Sequence, residues 1–420
     1  MIYIDEIATF DFDKVPIDPY WNVSGEQELK MHRIHSYPAK FPAFIATKAM
    51  ELAKKSNLNV KTVGDVFCGC GTSVLESRRN NLDFWGCDIN PVATLIAKVK
   101  SRKHSEKKLN EYFFQIESEY KKSAGRNHYA YAPDRLKYWF KSEQYNDLFR
   151  LKAAINQVFS INGIYKDFFF CAFSNILKST SVWLTKSIKP QVDPNKKSMD
   201  VFQAFRKQFK SMKKANSELR NFGKSEVIIK TTSFLNNKIK IPPIDLIITS
   251  PPYVTSYEYA DLHQLSTLWL DFVDDYRDLR TGTIGSLYHQ YDFNNSFENL
   301  NITGKKIVGE ILLTAKEKAK SVTKYFLDMQ NVTKKIYTTL SDEGMALFVI
   351  GNTEFKGVRI DNAKHLSESL LNSGFRSVVA TKRKISRKFL TPYRDKGGKF
   401  TTDKTGNKIY SEEFILIGKK

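Results

Sequence analysis

Short apolar runs alternate along this chain with stretches in which apolar residues recur every three or four positions. The runs share a high content of β-branched and aromatic residues and occupy residues 60–67, 82–87, 226–230, 244–249 and 345–351. Runs of this length with few polar positions are typical of strands buried on both faces of a parallel sheet. The alternation therefore predicts an α/β protein, which ends in a hairpin-like pair of strands over residues 376–384 and 413–417.

The run at residues 244–249 ends in a polar and aromatic tip, Ser250-Pro251-Pro252-Tyr253. Two consecutive prolines exclude both helix and continued sheet pairing, so the backbone must turn at the carboxyl end of this strand. In open α/β sheets that edge is where ligands bind. The tip offers a hydroxyl, backbone carbonyls and a flat ring, a combination suited to holding a planar group that bears an amine.

A glycine-rich turn, Cys68-Gly69-Cys70-Gly71-Thr72, follows the run at residues 60–67. Glycines between a strand and a helix let a ligand approach the backbone at the helix N-terminus, although a tight structural turn would use them equally well. Asp88 ends the next strand, where an acidic residue holds the ribose diol of an adenosine-containing cofactor. The two signals together favour such a cofactor over a bare turn. Metal binding by the three nearby cysteines is not expected, because their spacing lacks a second ligand pair.

Positive charge is concentrated in the middle of the chain. Of a net charge of +21, residues 101–225 contribute +14, from 25 Lys and Arg against 11 Asp and Glu. This helical segment separates an N-terminal part, 1–100, from a C-terminal part, 226–420. A solvated surface would explain the pattern, but so large an excess favours a polyanionic partner, nucleic acid before membrane. The predicted phosphate contacts are Lys186, Lys189, Lys196, Lys197, Arg206, Lys207 and Lys210.

Several other classes of protein are disfavoured. No apolar stretch approaches the roughly 20 residues that a membrane span requires, and the N-terminus lacks the basic and apolar regions of a secretory signal. Four cysteines, three of them between Cys68 and Cys87, do not form a disulfide framework. His32 and His35 have no third ligand nearby, so no metal is predicted. The expected location is the cytoplasm, with association to the nucleoid through DNA.

Taken together, the motifs resemble those of the class I S-adenosylmethionine-dependent methyltransferases, and specifically the DNA amino-methyltransferases. The segment from Phe67 to Thr72 is similar to that family's cofactor loop, which usually has serine at the position of Cys70. Asp88 matches its ribose-binding acid. Thr249-Ser250-Pro251-Pro252-Tyr253 matches its catalytic motif, in the form that usually marks cytosine-N4 specificity. Residues 35–41 look like the segment that closes over the methionine end of the cofactor.

This resemblance covers residues 30–100 and 226–420, and it implies a fold and a set of contacts. The fold is a Rossmann-like, doubly wound, mostly parallel sheet of seven strands with an antiparallel final strand. The basic segment 101–225 would be a mainly helical insertion and a candidate target-recognition region. The catalytic residues would be Ser250, Pro251, Pro252 and Tyr253. The cofactor contacts would be Tyr37, Lys40, Phe41, Asp65, Phe67, Cys68, Gly69, Gly71, Thr72, Asp88, Ile89, Ser233, Phe234 and Thr249.

The reaction implied by the resemblance is methyl transfer from S-adenosylmethionine to the N4 amine of a cytosine flipped out of double-stranded DNA. Such enzymes act in restriction-modification systems beside a cognate endonuclease. An exocyclic amine is a weak nucleophile because its lone pair is delocalised into the ring. Acceptors at Ser250 and Pro251 would favour a pyramidal nitrogen, and Tyr253 would stack on the base.

Three alternatives remain open from the sequence. The first is adenine-N6 methylation of DNA, because serine at the start of the motif marks a tendency only. The second is an RNA methyltransferase, which would use basic charge and flipped bases as well. The third is a nucleic-acid-binding protein that kept the fold without catalysis. Carbon-5 methylation of cytosine is disfavoured, since the chain contains no Pro-Cys pair.

Overall fold

A computed structural model describes the chain except for residues 5, 23–26, 39, 124–126, 220–221, 255–258, 287–291, 386–392, 395–399, 402–406 and 409–410. The strands are β1 (Ile2–Tyr3), β2 (Thr62–Asp65), β3 (Asp83–Asp88), β4 (Val227–Thr231), β5 (Ile244–Thr249), β6 (Leu340–Ile350), β7 (Thr353–Phe355), β8 (Val358–Ile360), β9 (Ser377–Lys384), β10 (Tyr393–Arg394), β11 (Phe400–Thr401), β12 (Asn407–Lys408) and β13 (Glu412–Lys419). The helices are α1 (Ala43–Lys55), α2 (Thr72–Arg79), α3 (Pro91–Lys100), α4 (Glu106–Lys122), α5 (Asp134–Trp139), α6 (Ser142–Val158), α7 (Ile164–Thr180), α8 (Val201–Ser217), α9 (Tyr259–Trp269), α10 (Phe293–Glu298), α11 (Ile302–Leu312), α12 (Lys316–Thr339) and α13 (Asn362–Asn372).

Within the described residues, the main sheet has eight strands in the order β1-β9-β13-β6-β5-β2-β3-β4. The five strands from β6 to β4 are parallel, whereas β13 pairs antiparallel with both β6 and β9. The predicted α/β class and mostly parallel order are confirmed. The expected count of seven strands is not confirmed, because β1 adds an eighth at the edge beside β9. Two residues are too few to show an alternating pattern in the sequence.

Strand β6 shows why these apolar runs form a central sheet. Met345, Leu347 and Val349 point into a core shared with α1, while the residues between them point into a second core shared with α12 and α13. Successive side chains of a strand lie on opposite faces of the sheet, so a strand covered on both faces must be apolar throughout. The helices therefore lie on both sides of the sheet, and its carboxyl edge is left for ligand contacts.

The basic segment 101–225 contains helices α4 to α8, as its pattern predicts. Their aromatic residues form one core together with α3 and α9, and the rings of Phe113 and Phe209 stack with their centroids 4.2 Å apart. The phenylalanines of α8 recur every three or four residues and are thus core residues. None of the described helices is long and apolar enough to cross a membrane.

The segment 275–305 has the polar, turn-rich composition that is typical of a mobile loop, but it holds more regular structure than that composition indicates. It includes a 3-10 turn at Tyr276–Arg280, helix α10 and the start of α11, with 287–291 outside the described residues. Asp275 and Asp292 cap the first two elements through their side chains. Turn-forming residues here serve as helix caps, which composition alone cannot distinguish from a loop.

Candidate active site

The turn after β2 and the tip after β5 meet at one edge of the sheet. The two strands are parallel neighbours, with Val63 opposite Leu246 and Gly64 opposite Ile247. Parallel strands end at the same side, so the glycine-rich turn and the Ser-Pro-Pro-Tyr tip are placed next to each other. The fold thereby brings together the two motifs that the sequence separates by about 180 positions.

Asp65 joins these two motifs. Its Oδ1 accepts a hydrogen bond from Thr249 Oγ1 at 2.7 Å and from the Phe67 amide at 3.1 Å, and its Oδ2 accepts from Ser73 Oγ at 2.7 Å. The residue is 1% exposed, and burial raises the pKa of its carboxyl group to about 7, although the three donors act in the opposite direction. Both oxygens are used inside the protein. Asp65 and the fully buried Thr249 therefore connect the loops, and a direct cofactor contact by either side chain finds no support in the geometry.

The backbone conformation at Gly69 and Gly71 favours glycine, and at Gly71 close packing favours it as well. Gly69 has φ +47° and Gly71 has φ +79°, a region that L-residues rarely adopt. A Cβ added to Gly71 would also lie 2.7 Å from the Cα of Ala97 in α3, so any side chain there would push the helix away. Helix α2 begins at the next residue, Thr72, and its N-terminus faces the turn. The turn thus leads into a helix N-terminus, as expected of a cofactor loop, with Gly69 half-buried and Gly71 and Thr72 buried.

Asp88 lies against this turn at the end of β3. Its Oδ2 accepts a hydrogen bond from the Gly69 amide at 2.9 Å and its Oδ1 accepts from the Asn90 amide at 2.8 Å. Burial raises the pKa of Asp88 to about 6, against the effect of these two amides. A carboxylate oxygen can accept more than one hydrogen bond, so each oxygen can still receive a hydroxyl from a diol. Asp88 therefore has the position and the acceptor capacity expected of a ribose ligand.

Tyr37 closes one side of the cleft. Its ring stacks on His263 of α9 with centroids 4.9 Å apart and an interplanar angle of 17°. Its Cε1 would be 3.6 Å from a Cβ on Gly69, an ordinary van der Waals distance, so the ring lies beside the turn. His263 Nδ1 is hydrogen-bonded to Asn90 Nδ2 at 2.7 Å. Lys40 donates to the His32 carbonyl at 2.6 Å. Within the segment 35–41, Tyr37 lies beside the turn, His35 bonds to Ser174 of α7 and Phe41 packs against the core that contains α1; residue 39 is outside the described residues.

These features fit an adenosine-type cofactor such as S-adenosylmethionine. The half-buried Gly69 beside Tyr37 is the part of the turn whose backbone such a ligand would contact. The Nε2 atom of His263 is buried and has no hydrogen-bond partner within the described part of the chain. Buried polar atoms are usually paired, so this atom marks a place where a ligand or water completes the site.

The tip of β5 presents its groups to the same cleft. Ser250 Oγ donates to the Val349 carbonyl at 2.9 Å. Its only proton is committed to that bond, so its lone pairs are available to accept a hydrogen bond from an amine. The half-buried Tyr253 ring lies on Gly351, and its hydroxyl donates to Glu413 Oε1 at 3.1 Å. Burial, together with Glu413, holds the pKa of this phenol well above its usual range.

Two predicted contacts near the adenine end look different in the structure. Phe234 is 2% exposed and packs against Trp85 in the core, so its ring has little surface left for a ligand. Ser233 Oγ accepts a hydrogen bond from the Leu235 amide at 3.4 Å. Ile89 is half-buried and lies near Gly282, where an added Cβ would be 3.3 Å from Ile89 Cδ1. Residues after the Tyr276–Arg280 turn thus lie beside this end of the cleft, a contact that the sequence did not predict.

The seven predicted phosphate contacts fall into two groups. Lys186, Lys189, Lys197, Lys207 and Lys210 are exposed. Arg206 is exposed but pairs with Glu117 at 2.6 Å. Lys196 donates to the carbonyls of Lys178 and Trp183 at 2.6 and 2.7 Å, and burial lowers its pKa to about 8. Lys196 thus holds its own loop together, which leaves the exposed lysines as the better candidates for DNA.

Sequence reasoning missed residues that support the site from segments distant in the chain. They include His263, Gly351, Arg383 and Glu413. The sequence gives a weak indication of the Arg383–Glu413 pair on β9 and β13, because opposite charges at facing positions are common in antiparallel strands. Its register was not readable, because about 30 residues separate the two strands.

The sheet order and the two loops at its carboxyl edge define an α/β protein with a methyltransferase-like fold. No protein-family model matches the chain. It is 26% identical over 416 residues to the type II methyltransferase M.MvaI of Kocuria varians, which covers 92% of this chain and 90% of that protein. It is also 29% identical over 115 residues to the type II methyltransferase M.MjaII of Methanocaldococcus jannaschii, over 26% of this chain and 21% of that protein. These similarities support a class I S-adenosylmethionine-dependent methyltransferase.

A solved structure of the rRNA methyltransferase aviRa from Streptomyces viridochromogenes also aligns with the chain. The TM-score is 0.29 at 9% identity, over 92% of this chain and 88% of that chain. A likeness at that level carries no argument about the reaction or the substrate.

Proposed function

We propose that the protein is a DNA methyltransferase that acts on the N4 amine of a cytosine flipped out of double-stranded DNA. The observation that carries the proposal is the hydrogen-bonded link through Asp65, which fixes the Ser-Pro-Pro-Tyr tip against the cofactor-type turn. A methyl donor on the turn and an amine on the tip would then be neighbours. Holding two reactants in such a geometry accounts for much of the rate of a transfer reaction.

S-adenosylmethionine would supply an electrophilic methyl group on a sulfonium when bound. Asp88, the backbone of the turn and Tyr37 would hold it, because these groups lie together at the carboxyl edge of the sheet. Asp65 and Thr249 would act indirectly by fixing the turn and the tip relative to each other.

Ser250 and Tyr253 would act on the base. The lone pairs of Ser250 Oγ would accept a hydrogen bond from the amine, which favours a pyramidal nitrogen whose own lone pair points at the methyl group. The carbonyl of Pro251 is the second proposed acceptor. Tyr253 would stack on the ring, and the proton lost by the nitrogen would pass to water. Preorganised polar groups of this kind lower the barrier because they need not reorient during the reaction.

Two further parts of the proposal concern partners. The exposed lysines on the loop at 184–197 and on α8 would contact DNA phosphates, within a target-recognition region at 101–225. A cognate restriction endonuclease is proposed from the similarity to proteins named as type II methyltransferases. Cytosine is favoured over adenine because Ser250 opens the tetrapeptide, as the resemblance implies.

The test is a nucleoside analysis of duplex DNA treated with the protein and S-adenosylmethionine carrying a labelled methyl group. The expected product is N4-methylcytosine. N6-methyladenine alone would overturn the choice of base while keeping DNA methylation. Label on RNA and none on DNA would overturn the choice of nucleic acid. Binding of DNA and cofactor with no transfer to either nucleic acid would favour a binding protein that retains the fold.

A further inference from the structure

The Tyr253 ring is held from two sides by segments distant in sequence. Its edge lies on Gly351, where an added Cβ would be 3.2 Å from Tyr253 Cε2. Its hydroxyl donates to Glu413 Oε1 at 3.1 Å. Gly351 directly follows β6 and Glu413 lies on β13, two strands that pair with each other. The orientation of the ring therefore depends on the pairing of these strands as well as on the tip of β5.

Glu413 is in turn fixed by Arg383. The two residues face each other across the antiparallel pair of β9 and β13, and Arg383 Nη2 donates to Glu413 Oε2. The side chain of Arg383 is only 4% exposed and that of Glu413 17% exposed. A buried guanidinium requires an acidic partner, since an unpaired buried charge is strongly unfavourable. Each oxygen of Glu413 thus has one donor, the guanidinium on one side and the phenol on the other.

The use of both Glu413 oxygens argues for a role beyond linking two strands. An ion pair that only joined β9 and β13 would need only the bond from Arg383. The second oxygen instead bonds to the aromatic residue of the tip. An aromatic ring stacks on a flat partner with its plane offset and close to parallel, so tilting the ring would reduce the contact. The bond to the hydroxyl fixes the position of the outer end of the ring, and the contact with Gly351 limits its rotation, so less entropy is lost when a base binds.

We propose that Glu413 and Arg383 are positioning residues that hold the Tyr253 ring in the orientation that receives the flipped base. The inference rests on the proposed function, because it requires a base that stacks on Tyr253. Glu413 acts through the phenol and does not touch the base, the cofactor or the transferred methyl group. Arg383 acts one step further away, by keeping the Glu413 carboxylate in place.

The test is a double-mutant cycle of Tyr253→Phe and Glu413→Ala, measured by methyl transfer to DNA. Tyr253→Phe keeps the ring and the Arg383–Glu413 pair but removes the hydroxyl, so it does not depend on how well the second variant folds. Each single change is expected to lower kcat by roughly tenfold, since small misplacements of a reacting group have effects of up to about a hundredfold. The double variant should be no slower than the slower single variant, because both remove the same interaction.

Cofactor binding and thermal stability are measured on the same proteins. The cofactor affinity of each variant should equal that of the wild type. The melting temperature of Tyr253→Phe should also equal that of the wild type. Glu343→Ala is the matched control, because it breaks an exposed Arg376–Glu343 pair beside β9 that does not touch Tyr253. That control should keep full activity.

The outcomes separate the inference from the proposed function. Effects that multiply in the double variant, or a Tyr253→Phe variant as fast as the wild type, would overturn the positioning role alone. A wild-type protein that transfers no methyl group to DNA would overturn the proposed function and the inference with it.

Discussion

Thr249 on β5 donates a 2.7 Å hydrogen bond to Asp65 on β2, and this bond joins the two halves of the candidate site. Asp65 is buried, and the pKa of its carboxyl group is raised to about 7 from an ordinary value of 3.8. Between these two values the folded protein holds a proton that the unfolded chain has released. The free energy of unfolding is therefore expected to fall as the pH rises through that window, by at most about 1.4 kcal/mol per pH unit for this group.

Asp65→Asn isolates that contribution, because the amide does not titrate. Its Nδ2 can donate to Ser73 Oγ, whose own proton can turn to the Ile248 carbonyl at 3.3 Å. Urea unfolding of wild type and variant at pH 5, 6 and 7 gives the difference in stability at each pH. This difference should move in favour of the variant as the pH rises. A difference that stays constant would show that Asp65 has an ordinary pKa.

Ser250→Ala removes the hydroxyl at the start of the tip. Methyl transfer is expected to fall by on the order of a hundredfold or more, because one preorganised polar group is lost from the reacting centre. Binding of S-adenosylmethionine should be unchanged, since the link through Thr249 and Asp65 remains. Single-turnover transfer and calorimetric cofactor binding measure the two effects.

A serine on β6, beside the opposite end of β5, provides the control. Ser341 Oγ donates to Asp245 at 2.7 Å, far along the strand from the tip. Ser341→Ala therefore removes a comparable strand-linked hydroxyl and should leave transfer intact. Full activity in Ser250→Ala would refute the role assigned to Ser250.

Gly71→Ala tests whether the turn requires glycine for steric reasons. The added Cβ would lie 2.7 Å from Ala97 and would adopt φ +79°, so overpacking and backbone strain should together destabilise the protein by about 1–3 kcal/mol or more. Cofactor affinity should fall as α2 and α3 separate.

Gly309→Ala in α11 is the control for that change, since nothing lies within 4 Å of its added Cβ. There the substitution should stabilise the helix by up to about 1 kcal/mol. Urea unfolding compares the two variants, and equal stabilities would show that α3 moves aside without penalty.

The parts of the site that the sequence predicts are those formed by residues adjacent in the chain. The Ser-Pro-Pro-Tyr tip and the Gly69–Gly71 turn were found because each motif is contiguous and follows a strand. The position of Asp88 follows from the same rhythm of strand and turn. These features depend on a few neighbouring residues, whatever the rest of the chain does.

Contacts between side chains on different strands cannot be predicted from the sequence pattern. Glu413 meets Tyr253 only because β13 inserts antiparallel between β6 and β9, and the register of that insertion fixes which side chain reaches the phenol. The internal hydrogen bonds of Lys196 do not follow from the sequence for a related reason. The polar, basic sequence around Lys196 suggests a solvated cation, but the fold of the loop directs its ammonium group toward two backbone carbonyls. In both cases the partner lies on a segment whose position the local pattern does not specify.

The exposed lysines of the basic segment are expected to act by neutralising DNA phosphates. Replacing Lys186, Lys189, Lys197, Lys207 and Lys210 by Gln removes five charges without touching the buried aromatic core of α8. DNA affinity should fall, and the slope of log affinity against log salt should become shallower by about 0.9 for each phosphate that is no longer neutralised. A second protein, with Gln at the exposed Lys54, Lys61, Lys238, Lys240 and Lys306, carries the same change in net charge outside this segment. If the slope becomes equally shallow in both proteins, the effect comes from overall charge and the segment 101–225 has no special role. A change confined to the first set would make that segment the DNA-contacting surface.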